Sequence, residues 1–298
     1  MSIFSSERFI KQHHNQNDFK SYYVGYADNQ YDWDNLLNTM MDALVDFVYG
    51  FHKRAVEPDK AIATLKRALF KLIKPQQVLK RTGEVGELLL HIILRDFFDT
   101  LPLLQKVYLK TNPNDAAKGF DIIHAKDENG ELNIIFGEAK LYENPNEAIR
   151  DLITDLETHY VLDFMLQEFI LIGDHPAESC LLPQDLSEKY KVLYDRLERL
   201  SDYIFMNPGQ ALQIGQVFDK TSIVLFCAFK SDTFLKYKQV TDEFRAEMDE
   251  QLVKLYSKFN NEKPECPGNI IFVLFPLLDH NMLINLFIKK MEELNGKI

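Results

Sequence analysis

The sequence predicts an α/β protein, a mixed central sheet flanked by helices with a helical N-terminal extension. Three observations predict it. Apolar residues recur at helical spacing through much of the first hundred positions. Short β-like runs follow at 107–110, 120–125 and 132–140, the last two separated by Asn129-Gly130. The C-terminal part then alternates apolar runs at 222–229 and 269–275 with helical stretches at 240–259 and 279–294. Those apolar runs are continuous rather than alternating, the pattern of strands buried on both faces.

Taken in order, residues 1–30 are polar and aromatic without a clear period. Positions 34–52 carry Leu36, Leu37, Met40, Leu44, Phe47 and Val48 on one helical stripe, with Asp34 as the expected N-cap. A second helix is expected over 58–73, ended by Lys74-Pro75, and a third over 77–100, stopped by Pro102. After the β-like runs, 146–157 reads as a helix. The stretch 173–220 is punctuated by Pro176, Pro183, Pro208 and Gly209 and reads as a helical insertion. The expected division is a helical region over 1–75 and an α/β domain over 76–298.

With 298 residues, 46% of them hydrophobic, and 22 Phe, the chain has ample material for a core. Formal net charge is −11, which argues against tight, autonomous binding of nucleic acid through a broad basic surface. A local basic patch, bound cations or a partner would have to supply that grip. Cys180, Cys227 and Cys266 are far apart and odd in number, so neither a disulfide framework nor a cysteine zinc site is expected. No apolar run is long enough to span a bilayer, and the N-terminus lacks a signal-peptide core, so a cytoplasmic protein is expected.

The informative stretch is GFDIIHAKDENGELNIIFGEAK, residues 119–140. Asn-Gly between two β-like runs is a strong signal for a two-residue hairpin turn. In that register Glu128 faces Glu131, and seven steps out Asp121 faces Glu138. Directly opposed residues share a side of the sheet with Cβ atoms ~5 Å apart. Lys140, two positions beyond Glu138, falls on the same side. Two adjacent carboxylates repel unless a cation lies between them, and oxygen donors suit Mg²⁺. Such a metal acidifies a bound water and neutralises phosphate charge, while a neighbouring lysine can orient or deprotonate that water or stabilise the transition state. With 45 acidic residues in the chain, Asp…Glu-x-Lys also arises by chance, and Asp18-Phe19-Lys20 is one such decoy. The competing reading is a solvated strand end.

A further element lies upstream. Gly83-Glu84-Val85-Gly86-Glu87 precedes the apolar run LLLHIIL. Glu84 and Glu87 share a helix face, and acids turned inward without partners are costly. Glu87, on a helix packed beside the hairpin, could contact a metal directly or through a neighbour. The glycines would let the helix approach the sheet. The alternative is a pair of helix-start acids favoured by the dipole.

The order GEVGE on a helix, GFD on a strand, GEAK on the next strand and then a helix resembles the PD-(D/E)xK nuclease superfamily. RTGEVGELLLHIIL, KGFDIIHA and FGEAKLYENPNEAIRDL look like HamA, the nuclease family of the Hachiman anti-phage defence system, most strongly over 80–160. The resemblance implies a restriction-endonuclease-like fold over 76–298 and metal-dependent DNA cleavage with Mg²⁺, for which Mn²⁺ can substitute. It also implies a helicase partner, HamB, that supplies or controls access to DNA. Carried over by motif, Asp121, Glu138 and Lys140 are the core residues and Glu87 the helix acid, with Asp121, Glu138 and Glu87 as the metal ligands. Phe120 stands where the superfamily label has proline. The alternatives are a stand-alone restriction- or repair-type endonuclease, or a catalytically quiet interaction module regulating a helicase.

Among the remaining polar residues, Arg150 and Lys118 are candidate phosphate contacts. His13 and His14 are expected to be solvent-exposed in a polar tail. His124 should face away from Asp121 by strand parity, and His91 reads as a core histidine on its helix.

Overall fold

A computed structural model describes residues 6–49, 61–72, 82–105, 119–128, 131–159, 221–266 and 268–295. The expected strand at 107–110 and the expected insertion at 173–220 lie outside these residues, as do Lys118, Cys180 and the Asn129-Gly130 turn itself. The described elements begin with α1 (Ser6–Phe9), β1 (Ile10–Asn15), β2 (Phe19–Val24), the short β3 (Tyr26–Ala27) and β4 (Gln30–Tyr31), and α2 (Trp33–Tyr49). They continue with α3 (Ala61–Leu72), α4 (Thr82–Phe97), β5 (Leu101–Gln105), β6 (Ile122–Glu128), β7 (Glu131–Tyr142) and α5 (Pro145–His159). The last group is β8 (Thr221–Lys230), α6 (Thr233–Lys236), α7 (Asp242–Glu262), β9 (Asn269–Leu277) and α8 (His280–Asn295).

Seven strands form one mixed sheet in the order β1-β2-β9-β8-β7-β6-β5. β2, β9, β8 and β7 run parallel, while β1, β6 and β5 join by antiparallel pairing. The central strands are apolar without alternation because both faces are covered: β8 is buried along nearly its whole length. α4 lies on one face and α2 packs beside it. α5 and α7 cover the other, where Phe259 stacks on Phe272 at 4.2 Å and Tyr256 on Phe19 at 4.4 Å between ring centroids. Among the described residues no helix is long and apolar enough to cross a membrane.

The N-terminal part departs from the expected helical extension. β1 and β2 form a hairpin that pairs in parallel with β9 and extends the sheet. The alternation that reveals a strand is absent here for two reasons. Tyr22, Tyr23 and Val24 are buried in succession, and β1 carries a bulge between Gln12 and His14. His13 and His14 are therefore not in an exposed tail but in an edge strand. Two helix boundaries also differ. Asp32 rather than Asp34 caps α2, its Oδ1 accepting from Asn35 N–H at 3.3 Å. α4 ends at Phe97 through Asp99 in a left-handed conformation, with Thr100 N–H donating to Leu94 O at 3.3 Å. Pro102 sits beyond that stop in β5, an edge strand where its missing N–H is tolerated.

Two glycines set how closely α4 approaches β7. A Cβ on Gly86 would lie 3.3 Å from Leu141 Cβ, and one on Gly137 would lie 2.9 Å from Leu90 Cδ2. Hydrogen only at these Cα atoms lets the helix sit almost on the strand. A buried polar cluster fixes the far end of α4. Arg95 Nη1 donates to Asp46 Oδ2 of α2 at 2.8 Å, and its Nε donates to Asp96 Oδ1 at 2.6 Å. The Ser6 hydroxyl of α1 donates to Asp96 as well. Removing the guanidinium would leave two buried carboxylates facing each other. Arg95→Ala is expected to lower the unfolding free energy by about 3–5 kcal/mol, measured by urea denaturation; a loss within ordinary surface-substitution range would contradict this role.

Candidate active site

The site grows out of the β6–β7 hairpin. Pairing runs from Glu128 opposite Glu131 to Ile122 opposite Gly137, which is the register the Asn-Gly turn predicts. Asp121 lies one residue beyond the ladder, in a bend. It does not sit in a regular cross-strand pair with Glu138. Its Oδ2 instead accepts from Ala139 N–H at 2.9 Å. The carboxylate thus satisfies a β7 donor just beyond the point where pairing with β6 stops. That bond holds Asp121 close enough for its charge to act on Glu138.

Glu138 and Lys140 project from β7 on the side opposite Gly137, Ala139 and Leu141, hence away from α4. β8 flanks them, with Leu225 and Cys227 as their ladder partners. Glu138 is only 5% exposed. Lys140 Nζ lies 3.0 Å from Glu138 Oε1 and 2.5 Å from Asp155 Oδ2 of α5. α5 is started by Asn144, whose Oδ1 accepts from Asn146 N–H at 3.0 Å, with Pro145 at the first helical position. The Tyr142 hydroxyl donates to Asp151 Oδ2 at 2.9 Å and ties the end of β7 to the same helix.

The electrostatics follow from burial. Removal from water pushes the Glu138 carboxyl well above the usual carboxylate range, and the charge of Asp121 adds to that; Lys140 offsets only part of it. Burial alone would lower the Lys140 ammonium, but Glu138 and Asp155 outweigh it and hold the lysine above its ordinary value. Asp155 gives Lys140 Nζ a second acidic neighbour besides Glu138.

Glu87 is also buried, at 8% exposure, whereas Glu84 is partly exposed, so α4 turns Glu87 inward. Its neighbour Gly86 touches Ala139 and Leu141, which brings Glu87 beside the strand segment that carries the site. It approaches from the sheet face opposite Glu138 and Lys140. Arg150 is largely exposed on the outer side of α5 and faces Asp151 at 3.8 Å. His91 and His124 are fully buried on the α4 side, with His91 Nδ1 3.2 Å from His124 Nε2 and His124 Nδ1 2.8 Å from Thr100 Oγ1. Burial, aided by the Arg95 charge, pushes His124 down to about 3, so it is a neutral core residue.

Asp155 is the site residue that sequence reasoning missed. Its signal was present: Ala148, Ile149, Leu152 and Leu156 form the buried stripe of α5. At ~100° per residue Asp155 projects roughly 20° from Ala148, at the edge of that stripe. An acid there on the helix after the lysine strand faces the sheet rather than solvent.

Among the described residues, the group that brings three candidate ligand atoms within 4.8 Å of one another is His13, His14 and Asp249, far from these acids in the sheet. No curated protein matches the chain. The model of the HamA family matches residues 2–291, nearly the whole sequence. Membership in that family fits a component of the Hachiman defence system. The chain belongs to the HamA family.

Proposed function

We propose that this chain is a Mg²⁺-dependent deoxyribonuclease with a PD-(D/E)xK site, acting in a Hachiman defence complex with a helicase that supplies or controls DNA. The observation that carries the reading is the buried Glu138 beside the charge of Asp121, with Lys140 held between Glu138 and Asp155. Family membership supports the defence context. The order helix acid, strand acid, strand acid-x-lysine supports the superfamily assignment.

The donor set fits a hard divalent cation: two carboxylates offer oxygens, and burying both charges together is unfavourable without a counter-charge. Asp121 and Glu138 would hold the ion, whereas Glu87, the third ligand that the resemblance implies, lies across the sheet on the α4 face. When bound, it supplies charge neutralisation on the phosphate and a more acidic water. The chain's own residues do the rest. Water oxygen bonds to phosphorus as the phosphorus–oxygen ester bond breaks, the water gives up a proton, and the departing oxygen gains one. Lys140, kept as an ammonium by two carboxylates, donates hydrogen bonds and positive charge to the attacked phosphate or the attacking water. Its raised pKa favours this role over that of a general base. Asp155 acts as a positioning residue for Nζ. A net charge of −11 supports a division of labour in which the helicase provides most of the DNA affinity.

The test is degradation of plasmid by the complex with its helicase in Mg²⁺. Glu138→Ala and Lys140→Ala are expected to lower the rate by about 100-fold or more, and Asp155→Asn by up to about 100-fold through misplacement of Nζ. In the Asp155→Asn pH profile, the limb that reports loss of the lysine proton should move to lower pH. Equal cleavage by wild type, Glu138→Ala and Lys140→Ala would end the assignment.

The raised Glu138 carboxyl also has a stability signature. A group held above its unfolded pKa in the folded chain contributes stability below the unfolded value, and loses it as pH rises through the folded value. Metal-free wild type should therefore weaken with rising pH relative to Glu138→Gln. In EDTA the variant is expected to melt higher than wild type at pH 8, with the gap closing in acid and on adding Mg²⁺. A variant that melts lower at pH 8 would contradict the burial argument.

A further inference from the structure

At the opposite edge of the sheet, two adjacent histidines of β1 converge on one carboxylate of α7. His14 Nε2 lies 2.9 Å and His13 Nε2 3.4 Å from the same oxygen, Asp249 Oδ1. Neighbouring residues in a regular strand point to opposite faces, so this convergence needs a cause. The cause is the bulge. Gln12 pairs with Tyr22 and His14 with Ser21, which leaves His13 as the extra residue and aims both rings at α7. His14 Nδ1 lies 2.7 Å from Ser21 Oγ, which holds the ring with Nε2 toward Asp249. The rings are mostly buried, at 13% and 11% side-chain exposure, whereas Asp249 is 54% exposed.

We propose that His13, His14 and Asp249 form a binding site for a zinc-class divalent cation that fastens the edge strand β1 to α7. The three ligand atoms lie within 4.8 Å of one another. Ligands at ~2.0–2.1 Å around a tetrahedral ion stand roughly 3.3 Å apart, close to the 2.9 and 3.4 Å separations found. Two imidazoles and one carboxylate are the donors that zinc-class ions prefer over Mg²⁺. Ser21 supplies the contact on the second ring nitrogen that metal-binding histidines commonly have. The exposed side of Asp249 leaves a fourth position open to water.

This site is separate from the candidate active site. β1 and β7 are four strands apart in the sheet, about 19 Å at ~4.8 Å per strand. An anchor here has a structural purpose, because an unpaired sheet edge invites pairing with other chains and benefits from a fixed cover. The neighbouring contacts already position α7 over β2: Phe19 stacks on Tyr256, and the Tyr256 hydroxyl donates to Asp18 Oδ2 at 2.6 Å.

The experiment titrates Zn²⁺ into chelator-stripped full chain against a chromophoric competitor and records melting temperature in parallel. Wild type and Glu138→Ala should each bind one Zn²⁺ at this site and melt higher with it. Asp249→Ala and His14→Ala should bind it at least about tenfold more weakly and lose the melting shift. Asp249 is half-exposed, so its variant keeps the test valid should His14→Ala fold poorly. Unchanged Zn²⁺ affinity in Asp249→Ala, loss of the site in Glu138→Ala alone, or no Zn²⁺ binding by wild type would each overturn the proposal.

Discussion

The burial of Glu138 against the charge of Asp121 is the constraint around which the rest of the molecule is arranged. An ionised carboxylate buried within a core strand is unfavourable unless something repays its desolvation. Here Lys140 repays part, and Asp155 secures the lysine from α5. The charge of Asp121 makes the balance worse for Glu138. A fold that served stability alone would have no reason to concentrate these groups between β7 and α5.

Several features of the scaffold serve that spot. The hairpin register brings Asp121 to β7, and the end of pairing at Ile122 leaves Ala139 N–H for its carboxylate. Parallel pairing of β7 with β8 buries the flank of Glu138 and Lys140. Gly86 and Gly137 allow α4 to lie against the other face of the same strand, carrying Glu87 with it. Arg95, bound to Asp46 and Asp96, secures α4 to α2 at the end remote from the site. Glu138, Lys140 and Asp155 therefore rest on β7 and α5, while Asp121 sits in the bend just before β6 and is held by Ala139 N–H.

Much of this was legible in the chain. The Asn-Gly dipeptide specified the hairpin register to the residue, since one slip would turn every apolar side chain to the wrong face. Continuous apolar runs marked β8 and β9, and helical stripes marked α2, α4, α5, α7 and α8. What escaped had physical causes. The bulge at His13 and consecutive buried aromatics erased the strand period in β1 and β2. Asp32 competes with Asp34 two positions on as the cap of α2, and Asp99 acts through a left-handed backbone conformation that composition does not show. Asp155 required knowing which face of α5 meets the sheet. The departure of Asp121 from a regular cross-strand pair depended on where the ladder ends, a tertiary matter that the turn does not dictate.

Under the proposed function, Asp121 and Glu138 together seat a divalent cation. Anomalous diffraction from crystals of the full chain grown with Mn²⁺ tests it directly. An anomalous peak is expected between these two carboxylates, and it should disappear in Glu138→Ala crystals. Mn²⁺ bound only elsewhere, with Asp121 still on Ala139 N–H and Glu138 still on Lys140, would contradict it.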